Sequence, residues 1–427
     1  RACELLDRPV KIVKPYFHEK VDTGACRKIT EELGSFLLSN MRADGENGLF
    51  PADPFAHQTN HLSVGFGACG VLYSLNKCGF EIPRTAREWL EQELDKAKPE
   101  RLPPGIFTGA SGIAWSLAEL GLEDRAATFM KMANQSPILK HHHSYLYGMA
   151  GTGMANLSMY VRTKGTEYLD MANELADSLL ESAQENERGI FWENDNLVQL
   201  GYGYGQSGVA LFLLRMFQIT GKERFLLEGR RALEFDLSHG VENEEGVLSF
   251  PRGPSDSTIE PYLEEGSAGI AKVAIRYGIW EPMKMILPDV HRKYAVFPGL
   301  MYGLGGFIDV LTDAYLFSRD EKYLSMAKRP IAGIRDIYLI KQQHGAATPG
   351  DGLFKISCDY ATGVAGVLRA LHRYTHCEGA DFVLDEADPA YAGHDGPEPA
   401  DGAAHPMDSE LSAAVQQAGQ GMYDKSL

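Results

Sequence analysis

Along the chain, stretches that are apolar on nearly every face alternate with stretches apolar on one face alone. The first kind includes IAWSLAEL from Ile113, VALFLLRMF from Val209, FIDVLTDAYLF from Phe307 and VLRALHRY from Val367. Residues of this type without a polar face predict helices inside a structure. The second kind opens at Glu167-Tyr168-Leu169, Arg224-Phe225-Leu226 and Lys322-Tyr323-Leu324, with charges on one side and Leu, Met and Ala on the other. These predict half-exposed helices wrapped around the first set.

A Gly-x-x-Gly opens each apolar stretch, and the pattern occurs seven times: Gly67-Ala-Cys-Gly70, Gly109-Ala-Ser-Gly112, Gly148-Met-Ala-Gly151, Gly205-Gln-Ser-Gly208, Gly266-Ser-Ala-Gly269, Gly303-Leu-Gly-Gly306 and Gly363-Val-Ala-Gly366. A repeat of this kind decides the fold before any single element does. Seven buried helix starts alternating with outer helices predict an all-α protein, an α/α toroid of seven helical hairpins. Glycine at a helix start allows close approach and φ > 0, and leaves free N–H groups pointing to the centre. Chemistry is therefore expected in the residues just before each motif, which the ring aims at its mouth. Strand-like pieces precede several motifs (GLFPADP from Gly48, GIFWEN from Gly189, GVLSFPRG from Gly246, GLFKIS from Gly352) and predict small β-hairpins on one rim.

Composition narrows the function. A net charge of −17 offers no basic face to a phosphate backbone, so nucleic-acid binding is not expected. No segment approaches the roughly 20 apolar residues of a membrane span. Six cysteines with no CxxC pair read as reduced thiols, and a cytoplasmic protein is expected. After about Gly379 the sequence turns rich in Pro, Gly, Ala and acid. The expected organisation is an N-terminal connector over 1–24, the toroid over 25–378 and a flexible tail over 379–427.

Seven ordered GxxG motifs, each ahead of an inner helix, resemble the lanthionine cyclase (LanC-like) family across roughly residues 25–377. The resemblance implies addition of a peptide cysteine thiol to dehydroalanine or dehydrobutyrine, closing a thioether ring. In zinc-bearing members a Cys precedes the fifth motif and a Cys-His pair the sixth, because zinc holds a thiol as thiolate near neutral pH. Here Glu264 stands at the first of these positions and Met301-Tyr302 at the other two. Tyr204 stands where those enzymes carry a catalytic His, and Ser144 at an acidic position. The toroid without these ligands resembles the cyclase region of class III lanthipeptide synthetases. That implies no metal and no cofactor in this domain, with nucleoside triphosphate and Mg²⁺ belonging to a missing kinase domain. It further implies upstream lyase and kinase domains, to which the 1–24 connector leads, and a dehydrated precursor peptide (leader plus core) as substrate, closed into lanthionine or labionin.

Without zinc the reaction needs a thiolate, a proton for the enolate carbon and a group near the enolate oxygen. A thiol of pKa about 8.5 is already a few per cent ionised at neutral pH. His143 is a candidate base, since imidazole titrates in the right range, although the run His141–His143 also reads as an exposed loop. Tyr204 is a candidate proton donor and equally a packing residue. Glu264 and Glu265 precede a helix start, where one carboxylate can cap and the other act as base or hold substrate. Tyr302 is added to the catalytic set, and Tyr147, Tyr202, Glu265, Met301 and Asp359 to the substrate-binding wall. Cys358 lacks an activating cation and reads as core. Two rivals remain open: a toroidal glycoside hydrolase or lyase using paired carboxylates among Glu264, Glu265, Asp359, Glu193 and Asp195 with Trp192 as sugar platform, and a scaffold that binds the precursor without accelerating ring closure.

Overall fold

The computed structural model describes residues 21–43, 48–52, 60–388 and 391. Among the described residues, seven inner helices alternate with seven outer ones. The inner set is α2 (Ala68–Lys77), α4 (Ala110–Glu119), α6 (Met149–Thr163), α8 (Gln206–Thr220), α10 (Ser267–Arg276), α12 (Leu304–Ser318) and α14 (Val364–His376). The outer set is α1 (Thr23–Ser39), α3 (Arg84–Lys96), α5 (Glu123–Asn134), α7 (Thr166–Ser182), α9 (Glu223–Leu237), α11 (Met283–Val290) and α13 (Lys322–Gly333). The α/α toroid expected from the repeat is observed. Six hairpins are consecutive in sequence, whereas the seventh joins the two ends of the ring: α14 packs against α1, and also against α2.

The burial follows the hydrophobic pattern. Every residue of α4 from Ala110 to Ala118 is buried. Outer α9 buries Phe225, Gly229, Ala232, Leu233, Phe235 and Asp236 along one side of the helix. No helix among the described residues is long and apolar enough to cross a membrane.

The first glycine of each motif is the N-cap of its inner helix. Only Gly266 (φ 102°) and Gly303 (φ 149°) use the positive φ expected there. Space explains the rest: a β-carbon on Gly109 would lie 2.2 Å from the carbonyl of Pro103. The second glycine obeys one rule in all seven copies. Its absent β-carbon makes room for the carbonyl six residues back, from Gly112 against Ile106 (1.6 Å) to Gly306 against Leu300 (2.5 Å).

The loops so packed form a closed belt. The amide two residues before each first glycine donates to the matching carbonyl of the next repeat: Gly65 to Phe107, Phe107 to Leu146, Leu146 to Gly203, Gly203 to Glu264, Glu264 to Met301, Met301 to Ala361, and Ala361 back to Gly65. These seven bonds run from 2.8 to 3.1 Å. Buried backbone groups must be paired, and here each repeat satisfies its neighbour.

Antiparallel hairpins precede α8 (β1 Gln184–Asn186, β2 Gly189–Phe191), α10 (β3 Val241–Glu242, β4 Leu248–Gly253, β5 Asp256–Glu260) and α14 (β6 Ile340–Lys341, β7 Ala346–Ala347). The strand expected at GLFKIS is instead a tight turn. Gly352 (φ 65°) and Leu353 (φ 59°) are both left-handed, which breaks extended backbone. The strand expected at GLFPADP lies partly outside the described residues, and none forms over residues 48–52.

The expected domain boundary at 378 also moves. Residues 379–388 fold back across the end of the toroid opposite the belt. Asp385 accepts from Arg215 (2.8 Å) and Arg276 (2.5 and 2.7 Å), Asp388 from Arg215 (2.7 Å), and Asp381 from Arg369 (2.8 Å). Asp313 and Asp309 complete the cluster with Lys272 and Arg373. All of these side chains are buried. The acid that made this stretch read as linker is the counter-charge to guanidinium groups on inner helices. The remainder of the 379–427 tail, apart from Tyr391, and the 1–24 connector up to residue 20 lie outside the described residues.

Candidate functional site

Three stacked rings of residues, set by position relative to the first glycine, form the mouth and what lies beneath it. One residue before it stand Phe66, Thr108, Tyr147, Tyr204, Glu265, Tyr302 and Thr362. Two before it is the belt, whose side chains are Gly65, Phe107, Leu146, Gly203, Glu264, Met301 and Ala361. Three before it stand Val64, Ile106, Tyr145, Tyr202, Leu263, Leu300 and Tyr360. Glu264 is thus the one ionisable side chain in the belt.

The carboxyl of Glu264 is buried and hydrogen-bonded with Tyr204, and burial, reinforced by the charge of Glu265, pushes its pKa up to about 8. A carboxyl of this kind is mostly protonated at neutral pH. Gly203 leaves the space it occupies, since a β-carbon there would lie 2.8 Å from Glu264 Cγ. The Tyr204 ring stacks on Tyr147 at 5.2 Å, and the two phenols share a hydrogen bond. Burial first, then Glu264, drives the Tyr204 phenol far above its ordinary value, so it remains a donor.

Glu265, its neighbour, is held by three groups: Tyr302 Oη (2.9 Å), Gln199 Nε2 (3.3 Å) and Arg252 Nε (3.5 Å). Burial raises its pKa while Tyr302 and Arg252 lower it. Tyr302 lies against Tyr262 at 5.4 Å. An aromatic wall therefore runs from Phe66 through Phe107 (5.6 Å) and Tyr147 (6.1 Å) to Tyr204.

Below the belt, Met301 and Tyr202 line a small central cavity of about 30 Å³ with Tyr145, Lys272, Asp309 and Phe382. This is room for a water rather than a side chain. Tyr202 packs on Tyr145 at 4.7 Å, and Tyr145 donates to the Phe382 carbonyl (2.6 Å). So Tyr202 stands beneath the belt, Met301 belongs to the belt and turns its side chain to this cavity, and neither lies at the rim.

The structure brings Tyr204, Glu264, Glu265, Tyr302 and Tyr147 together and, besides Tyr202 and Met301, sets His143 and Asp359 apart. His143 is tied to the turn that follows β2, its Nδ1 3.1 Å from the Glu193 carbonyl and 3.3 Å from Asn194 Oδ1. Burial lowers its pKa. His142 is the histidine that meets the tyrosines, edge-on to Tyr147 at 6.5 Å, with its Nδ1 2.9 Å from Ser144 Oγ. Asp359, expected on the substrate wall, is buried and spent in its own turn. It accepts from the amides of Thr362 (2.7 Å) and Gly363 (3.1 Å) and from Ser357 Oγ. Trp192 is also buried, its Nε1 donating to the Leu179 carbonyl (2.8 Å), so it offers no sugar platform. His142, Tyr145, Gln199 and Arg252 were not singled out from sequence. Tyr145 was legible by aligning the seven repeats, since it shares its position with Tyr202 and Tyr360.

At the three positions where the resemblance places zinc ligands stand a mostly protonated carboxyl, a buried thioether and a phenol bonded to Glu265. Zinc favours thiolate and imidazole, and this donor set does not fit it.

Over residues 83–384 the sequence matches the family described as lanthionine synthetase C-like protein. The "Probable SapB synthase" of Streptomyces coelicolor is 29% identical over 342 residues, which is 76% of this chain and 35% of that protein. The chain therefore spans about a third of that relative's length. Among solved structures, one titled "Nisin cyclase" superposes with a TM-score of 0.60 at 14% identity, covering 86% of this chain and 97% of that one. At that identity the likeness is one of fold.

Proposed function

This chain belongs to the lanthionine synthetase C-like family, and from that premise we propose that it is the cyclase region of a class III lanthipeptide synthetase, closing thioether rings without a metal at its mouth. Its substrate is a dehydrated precursor peptide, and the kinase and lyase steps that prepare it belong to upstream domains. The observation that carries this reading is Glu264: the single carboxyl in the belt, buried against Gly203 and beside Tyr204, with its pKa pushed up to about 8 by that burial.

The chemistry balances on that group. The sulfur of a peptide thiolate attacks Cβ of dehydroalanine, and the displaced electron pair moves to the amide oxygen as an enolate. The carboxyl of Glu264 then gives its proton to Cα. The next substrate thiol, of pKa about 8.5, restores that proton and becomes thiolate. Donor and acceptor are matched to within about a unit, which is where general acid–base transfer is efficient. Tyr204 orients the carboxyl, Glu265 holds Tyr302 in the wall, and Tyr147 gives peptide side chains an apolar face.

Ring closure is measured directly by incubating dehydrated, Cys-containing precursor with the chain in chelator and counting alkylatable thiols by mass spectrometry. Thiol loss well above the rate without protein, and suppressed in Glu264→Gln, is expected. Tight precursor binding with thiol loss at the background rate in both proteins assigns the chain the scaffold role instead.

A further inference from the structure

At the far end of α14 from the mouth lies a second cluster of side chains that ring closure does not use. His372 and His376 are four residues apart, which puts both imidazoles on one face of the helix, and their rings stack at 4.0 Å. Glu378 follows on the strand of chain leaving the helix, its Oε2 3.3 Å from His372 Nδ1. One nitrogen of each imidazole and one carboxylate oxygen lie within 4.8 Å of one another, and no other such trio occurs among the described residues. We propose that His372, His376 and Glu378 bind a divalent transition-metal ion of the zinc or cobalt type, which clamps the end of α14 to the segment flooring the central cavity.

Three features support binding beyond the presence of the donors. The Nδ1 of His376 is 3.0 Å from the carbonyl of His372. That bond makes Nδ1 the protonated nitrogen and leaves the Nε2 lone pair for a metal, as carbonyl-bonded histidine ligands are commonly arranged. His376 is exposed and Glu378 half-buried, and both line a cavity of about 610 Å³. An ion can reach the site, and water has room to fill the remaining coordination positions. Two imidazoles with a single carboxylate suit zinc, cobalt or nickel rather than calcium or magnesium, which prefer all-oxygen sets.

The opposing charge is Arg369, 3.2 Å from Glu378 and 3.3 Å from His372 Nδ1. Its guanidinium is already paired with Asp381 at 2.8 Å, so the cluster does not depend on Arg369 for neutrality once an ion is bound. Asp381 and Phe382 form part of the floor beneath the belt. Metal at Glu378 thus fixes the chain just ahead of that floor. Helix α14 spans 13 residues, or about 20 Å at 1.5 Å per residue, so this site is separate from Glu264 and stands independently of the chemistry there.

The test uses the full chain, stripped with chelator and dialysed. Titration with Co²⁺ should produce visible d–d absorption saturating at one ion per chain, and Zn²⁺ should displace it and raise the thermal midpoint. His376→Ala, at an exposed position that leaves the fold intact by circular dichroism, should weaken Co²⁺ binding at least about tenfold and abolish the Zn²⁺ shift. Glu378→Gln should weaken it as well, whereas Glu264→Gln should leave it unchanged. Absence of saturable Co²⁺ binding, or binding that His376→Ala and Glu378→Gln leave intact, overturns the assignment.

Discussion

Gly203 and Glu264 are joined twice: the Gly203 amide donates to the Glu264 carbonyl at 2.8 Å, and the hydrogen on Gly203 occupies the place where a β-carbon would lie 2.8 Å from Glu264 Cγ. Backbone and side chain of the carboxyl are therefore positioned by one neighbour. Gly203→Ala must push Glu264 away from Tyr204. We expect thiol loss in the ring-closure assay to fall at least about tenfold, with a stability loss of about 1–3 kcal/mol and retained helical circular dichroism. Unchanged ring closure in a folded Gly203→Ala protein would falsify the placement of Glu264 at the reacting centre.

Glu264→Gln removes the proton and keeps the shape. Loss of a general acid typically costs about 10²–10⁴ in rate, and we expect kcat to fall in that range with KM little changed. Stability should respond in the opposite sense at high pH. The folded pKa of about 8 is above the unfolded value of about 4.3, so the native state holds this proton more tightly than the unfolded chain. Its contribution is fully present below about pH 4 and is lost as pH rises toward 8, at about 1.4 kcal/mol per unit. Chemical denaturation at pH 6 and 9 should show wild type losing stability across that window and Glu264→Gln losing less.

The rate itself should depend on pH through the same group. Thiolate increases toward pH 8.5 while protonated Glu264 declines above about pH 8, which gives a bell-shaped profile. The Tyr204 hydrogen bond lowers the Glu264 pKa, so Tyr204→Phe should move the alkaline limb upward as well as reduce the maximum. A profile whose alkaline limb does not move on this substitution assigns that limb to another group.

The second glycines carry the architecture. A β-carbon on Gly112 would sit 1.6 Å from the Ile106 carbonyl, and the loop cannot retreat without breaking the bond from Phe107 to Leu146 (2.9 Å). Gly112→Ala should destabilise by about 3 kcal/mol or more, read as a large drop in urea midpoint or as failure to accumulate folded protein.

At the other end of the toroid, Asp385 alone receives both Arg215 and Arg276, and those guanidinium groups hold its pKa below the usual carboxylate range against the opposing pull of burial. Removing one partner of a buried ion pair costs about 3–5 kcal/mol, because a charge remains uncompensated. Asp385→Asn should lower the urea midpoint accordingly. A loss under about 1 kcal/mol would mean that the segment over 379–388 contributes little to holding the ring closed.

The sequence by itself determined the toroid, because seven GxxG copies ahead of apolar helices are a local pattern and each helix buries itself on all faces. It also placed Tyr204, Glu264, Glu265, Tyr302 and Tyr147 at the mouth, since all stand one or two residues before a first glycine. What only the tertiary structure decided are relationships between residues far apart in the chain. The belt pairs Ala361 with Gly65, and α1 covers α14. The difference between two adjacent glutamates, Glu264 protonated beside Tyr204 and Glu265 shared among Tyr302, Gln199 and Arg252, arises from burial and neighbours that no local pattern encodes. Asp359 reads in sequence like any acid near a motif, and only its turn shows it consumed by its own amides. The stretch after Gly379 has the composition of a linker, yet Asp381, Asp385 and Asp388 find guanidinium partners on three inner helices. Composition reports how many charges a segment carries, whereas the fold decides which opposite charges it meets.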